Sequence, residues 1–135
     1  MNEQELTAIA EAARKNAYVP YSHFAVGAAL LCADGTVVTG CNVENASYPL
    51  GYCAERTAIF TAVAAGKREF SALAIAGGKE NESADSLCPP CGACRQVLRE
   101  FCSPDFPVFM KNGNEIVKRT LSALLPDSFG PDNLA

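Results

Sequence analysis

Apolar residues near the start of the chain recur with a helical period. Leu6, Ile9, Ala10, Ala13 and Ala17 fall on one face, so Glu3 to Asn16 reads as an amphipathic helix. Asn2 followed by Glu5 resembles an N-cap pair, and Pro20 is the expected stop. Beyond it, His23 to Cys32 and Thr36 to Cys41 read as strands around an Asp34-Gly35 turn. Asn42 to Tyr52 is polar and loop-like, whereas Ala54 to Ala65 is rich in helix formers and closed by Gly66. Leu73 to Ala76 is a short apolar run suited to a buried strand, followed by a polar loop from Gly77 to Leu87. A helix is expected from Cys91 to Phe101, with Val97, Leu98 and Phe101 as its apolar face. Phe106 to Met110 and Glu115 to Lys118 read as strands around Asn112-Gly113. So short a connection permits only an antiparallel pair. Leu121 to Leu125 reads as a last helical turn or two. Strands and helices mixed in this order predict an α/β sandwich with a mixed sheet.

Composition narrows the function classes. At 135 residues a single domain spanning 1–135 is expected, and 49% hydrophobic against 19% charged residues excludes a disordered chain. A net charge of −4 disfavours a wide footprint on nucleic acid or anionic membrane. The start, MNEQELTAIA, lacks the basic and apolar regions of a signal peptide. The longest uncharged stretch, Asn16 to Ala33, is interrupted by Pro20, Ser22 and His23, so no membrane span is expected either. A cytoplasmic location follows as the expectation.

Seven cysteines change the picture more than the charge does. In a reducing compartment they point to metal binding or core packing rather than to disulfides. Two clusters carry chemistry: Cys53-Ala54-Glu55-Arg56 and Pro90-Cys91-Gly92-Ala93-Cys94-Arg95-Gln96. Cys91 and Cys94 lie on one side of a first helical turn, and Cys53 opens another helix. Helix N-termini favour thiolate, the form that binds zinc. Three thiolates leave one tetrahedral position open, which is the mark of a catalytic zinc. Glu55, two residues from a ligand, is placed to take a proton from water there. Three thiolates and Zn²⁺ sum to −1, and Arg56 and Arg95 are expected to donate to the sulfurs and offset that charge.

Blander readings accompany each residue. A Cys-x-x-Cys pair alone also suits a structural zinc knuckle or a redox motif, and Cys88 in principle offers a fourth ligand. Cys32, Cys41 and Cys102 sit beside apolar runs and read as small core residues. His23, the one histidine, reads as structural.

The two clusters do not stand alone. Pro20-Tyr21-Ser22-His23-Phe24, Val26-Gly27-Ala28-Ala29-Leu30 and Gly40-Cys41-Asn42-Val43-Glu44-Asn45-Ala46 accompany them, as do Leu124-Leu125-Pro126 and Phe129. Together these segments resemble the small homotetrameric zinc-dependent cytidine deaminases along nearly the whole chain. The resemblance implies a three-layer α/β/α sandwich with a mixed five-stranded sheet. It also implies one Zn²⁺ per chain, held by Cys53, Cys91 and Cys94. Glu55 would move protons while cytidine and deoxycytidine are hydrolysed to uridine and deoxyuridine with release of ammonia, in pyrimidine salvage. The Ala54 N–H would bond the pyrimidine 2-oxygen. A carbonyl just before Cys91, that of Pro89, would accept from the 4-amino group. Phe24 would pack near the nucleoside, and Asn42 and Glu44 would bond the ribose 3′-hydroxyl. Ala46 and Tyr48 would approach the 5′ end, and Phe129 the base, across subunit interfaces of a homotetramer with shared active sites.

One departure is visible: Pro89 stands where relatives often have Ser, and it has no N–H to donate. Three rivals bound the reading. A nucleic-acid deaminase would need a basic face. A deaminase of another aminopyrimidine nucleoside, such as an antibiotic, shares almost every motif. A non-enzymatic zinc module would need four protein ligands and no Glu55.

Overall fold

A computed structural model describes residues 1–135. Helix α1 (Glu3–Ala13) starts at Asn2, whose side chain accepts the Glu5 N–H as its N-cap. Strands β1 (Phe24–Cys32) and β2 (Val37–Cys41) follow as an antiparallel pair around Asp34-Gly35. Helix α2 (Ala54–Ala64), strand β3 (Phe70–Lys79) and helix α3 (Gly92–Phe101) come next. Strands β4 (Pro107–Asn112) and β5 (Glu115–Thr120) form the expected hairpin, and α4 (Leu121–Leu124) is a single turn. The sheet order is β2-β1-β3-β4-β5. Only β3 and β4 run parallel, because α3 carries the chain back between them.

Period-two alternation sorts the sheet's side chains into two layers. Val26, Ala28 and Leu30 of β1 and Leu73 and Ile75 of β3 face Ala54, Ala58, Ile59, Ala62 and Leu98 of α2 and α3. On the opposite face Ala29, Ala72, Ala74 and Ala76 meet Leu6 and Ala10 of α1. The result is the expected three-layer α/β/α sandwich. Small residues on the α1 side let that helix lie close, while the larger side chains fill the layer beneath α2 and α3.

The first helix ends where the sequence pattern ends it: α1 passes into a 3₁₀ turn at Arg14–Asn16, after which the chain is extended. Tyr18 donates to the Asn42 carbonyl and accepts from the Glu44 N–H, forming a bridge with Val43 that takes the chain out of the helix. Strand β3, by contrast, is longer than its apolar run. It pairs with β1 from Phe70 to Lys79, so the two glycines read as a loop start, Gly77 and Gly78, lie within the ladder.

Candidate active site

Both chemical clusters sit at helix N-termini on the same layer of the sandwich. Cys53 is the N-cap position of α2, Cys91 that of α3, and Cys94 lies in the first turn of α3. The seat of α2 is set by Gly40 of β2. A side chain there would overlap the Ala54 carbonyl and the Ala58 amide nitrogen. Thr57 fastens the contact, its Oγ1 lying 2.8 Å from the carbonyls of both Cys41 and Ala54. Just before Cys53, Tyr52 bridges Val43 in both directions, which closes the Asn42–Tyr52 loop.

The three sulfurs converge. Cys53 and Cys91 Sγ are 3.6 Å apart, Cys91 and Cys94 Sγ 3.3 Å, and all three lie within 4.8 Å of one another. None is in a disulfide. A tetrahedral zinc with Zn–S of about 2.3 Å sets its sulfurs about 3.8 Å apart. The donor set therefore fits zinc, with one position left for a non-protein ligand. Cys88 is not part of the group; its thiol packs against the core, and burial pushes its pKa up to about 11.

The electrostatics suit the same ion. The Cys94 thiol, Arg56 and the Cys91 thiol all stabilise negative charge on Cys53, and its pKa falls to about 5 against the opposing pull of burial. Cys94, which supplies that hydrogen, is pushed far up in return. Arg56 Nη2 donates to Cys53 Sγ at 3.4 Å, and its guanidinium also stacks 5.0 Å from the centre of the Tyr52 ring. Arg56 Nε is buried without a protein partner. Arg95 does not do what its position in the sequence suggested. It donates to the carbonyls of Pro90 at 2.8 Å and Leu124 at 2.7 Å, not to a sulfur. With the Pro90 carbonyl so occupied, the carbonyl of Pro89, which has no protein donor, is the free acceptor before Cys91.

Glu55 is only 4% exposed. Burial raises its pKa to about 7, while its own amide and the Cys94 thiol pull the other way. Ala54, fully buried, is the first residue of α2, so its N–H has no partner inside the helix.

The remaining candidates are partly or largely exposed. Phe24 is 40% exposed at the start of β1. Asn42 Nδ2 donates to the Phe24 carbonyl and its Oδ1 accepts the Val26 N–H, which leaves one amide hydrogen spare. Glu44 Oε1 accepts the N–H groups of Tyr21 and Ser22 at 3.1 Å each, and Oε2 accepts the Ser22 hydroxyl. That hydroxyl, above all, lowers the Glu44 pKa. Ser22, Glu44, Asn45 and Tyr48 are among the residues lining a cavity of about 350 Å³, which none of the three cysteines touches. Ala46 is exposed, Tyr48 is 74% exposed and packs edge-on to Tyr21, and Phe129 is 60% exposed near the C-terminus. His23 sits in a left-handed turn, its carbonyl accepting the Glu80 N–H at 2.7 Å.

Residues 1–110 match the family model described as the cytidine and deoxycytidylate deaminase zinc-binding region. A cytidine deaminase from Sporosarcina psychrophila is 47% identical over all of this chain and 96% of its own. One from Halalkalibacterium halodurans is 47% identical over 99% and 98%. The crystal structure of cytidine deaminase from Burkholderia pseudomallei superposes with a TM-score of 0.88 at 48% identity, covering 96% of this chain and 100% of that one.

Proposed function

The chain belongs to the cytidine and deoxycytidylate deaminase family, and on that premise we propose that it hydrolyses cytidine and deoxycytidine to uridine and deoxyuridine with release of ammonia. The observation that carries this reading is an open three-sulfur cluster beside the buried Glu55 carboxyl.

Cys53, Cys91 and Cys94 would hold zinc, which would supply a Lewis acid able to bring the pKa of water from about 15.7 toward about 7. Glu55 does the proton work. Burial holds its carboxyl above the usual carboxylate range, which suits a group that both accepts and returns protons. It takes one from the attacking water and delivers it to N3, which makes C4 the better electrophile. It then assists proton transfer to the departing amine. A C–O bond forms at C4, and the C4–N bond breaks with its electron pair leaving on nitrogen.

The proposed contact residues orient the nucleoside. The Ala54 N–H holds the 2-oxygen and the Pro89 carbonyl the 4-amino group, with Phe24 packed alongside. The spare Asn42 N–H and the remaining lone pair on Glu44 Oε2 hold the ribose 3′-hydroxyl. Contacts to that hydroxyl alone accept both sugars. Ala46, Tyr48 and Phe129 serve neighbouring subunits of a homotetramer, Phe129 stacking on the base; their exposure in the single chain supports this. Residues 1–135 act as one catalytic domain. Seven free cysteines suit a reducing cytoplasm and a role in pyrimidine salvage.

Zinc analysis combined with ammonia release tests the assignment. One zinc per chain and equal amounts of ammonia and uridine from cytidine are expected. A zinc-loaded protein that releases ammonia only from another aminopyrimidine nucleoside would overturn the substrate.

A further inference from the structure

Beyond Pro126 the chain has no strand or α-helix to hold it, only a 3₁₀ turn at Pro131–Asn133. It is held instead by side chains of α3. Arg99 Nε donates to Ser128 Oγ at 2.9 Å, and its Nη2 donates to Asp132 Oδ1 at 2.6 Å. Gln96 Nε2 donates to the Phe129 carbonyl at 2.9 Å. The Gly130 N–H in turn donates to Asn133 Oδ1 at 2.8 Å. Gly130 is buried with extended backbone (φ −159°), a conformation open to any residue. What it needs is space, because a Cβ there would overlap the Arg99 guanidinium.

These contacts fix the backbone on both sides of Phe129 and leave its ring alone. The ring is 60% exposed and belongs to neither core cluster. Gln96 and Arg99 are three residues apart on one face of α3, so they act as a pair. A backbone clamped by polar groups under a solvent-facing aromatic ring is a preorganised contact, whose ordering entropy is spent before the ligand arrives.

We propose that Arg99 and Gln96 are positioning residues that hold Phe129 outward for the base bound in a neighbouring subunit. The proposal rests on the reading of Phe129 as a substrate contact. It makes α3 serve two sites: its N-cap and first turn carry Cys91 and Cys94 for its own protomer, and its later turns orient an aromatic for the next.

A double-mutant cycle with steady-state kinetics on cytidine tests it. Loss of a base–aromatic stack corresponds to roughly 5- to 150-fold in KM, and Phe129→Ala is expected in that range. Arg99→Ala should raise KM roughly fivefold, toward the lower end of that range, with kcat and zinc content unchanged. Gly130→Ala, which displaces the guanidinium without removing it, should do the same. Neither should raise KM further when Phe129 is already Ala. If Phe129→Ala raises KM while Arg99→Ala and Gly130→Ala leave it alone, or if the effects add in the double variants, the clamp is overturned and the Phe129 contact stands. If Phe129→Ala itself leaves KM unchanged, both fall.

Discussion

The sulfur cluster and the residues proposed to contact the nucleoside are built to different degrees of completion. Cys94 and Glu55 are buried, and the sulfurs, Arg56 and two helix N-termini supply each other's charge and hydrogen-bond partners inside one chain. Phe24, Tyr48 and Phe129 are 40%, 74% and 60% exposed, large apolar rings held in place by backbone bonds with little over them. Metal and proton chemistry needs preorganised groups, and a single chain brings them together here, although Cys91 stays exposed. Enclosing a whole nucleoside needs a large wall, and under the proposed function the exposed rings are where a neighbouring subunit would supply part of it.

Breaking the finished half gives the largest effects. Cys94→Ala removes a ligand, so zinc content should fall to zero and deamination to background; metal analysis beside an ammonia assay checks both. Cys88→Ala should leave the zinc in place, since its thiol lies outside the group. Glu55→Gln should keep zinc and fold but lower kcat by roughly a hundred- to ten-thousandfold, the usual contribution of a positioned acid–base group. Near-normal turnover by that zinc-loaded variant would remove Glu55 from the mechanism.

Smaller effects sharpen the border between the halves. Phe129→Ala should raise KM roughly 5- to 150-fold with zinc retained, as loss of a base stack requires. Arg56→Ala should weaken zinc affinity or kcat by about tenfold, because the cluster's negative charge loses its donor while every ligand remains. Zinc competition against a chelator measures the first and steady-state kinetics the second. No change in either would make Arg56 a bystander.

The metal centre was legible because its residues are local in the sequence. Cys53 and Glu55 are two apart, Cys91 and Cys94 three apart, and both pairs announce a helix start. Sequence neighbourhood misled at Arg95, where proximity to Cys94 suggested a sulfur contact. Its acceptor 29 positions on, Leu124, belongs to tertiary structure. The ends of β3 were misplaced for the same reason: Gly77 and Gly78 are strand because β1 pairs with them. Arg14 left no local signal either, although it is buried and donates to the carbonyls of Ala25, Lys79 and Glu82. Gly40, which seats α2, looked like any strand glycine. The proposed nucleoside contacts were reached through family resemblance, since a half-exposed loop pair such as Asn42 and Glu44 carries no distinguishing pattern of its own.

Complementation tests the division between a finished centre and shared nucleoside contacts most directly. Phe129→Ala and Glu55→Gln chains are unfolded together, refolded as a mixture with zinc, and assayed at cytidine far below the KM of the Phe129→Ala protein. If one chain supplies Glu55 and its neighbour Phe129, about a quarter of the sites in an even mixture regain both intact groups. Activity should then rise well above the average of the two variants refolded alone. Activity equal to that average would contradict the account, because each site would then be drawing both groups from a single chain.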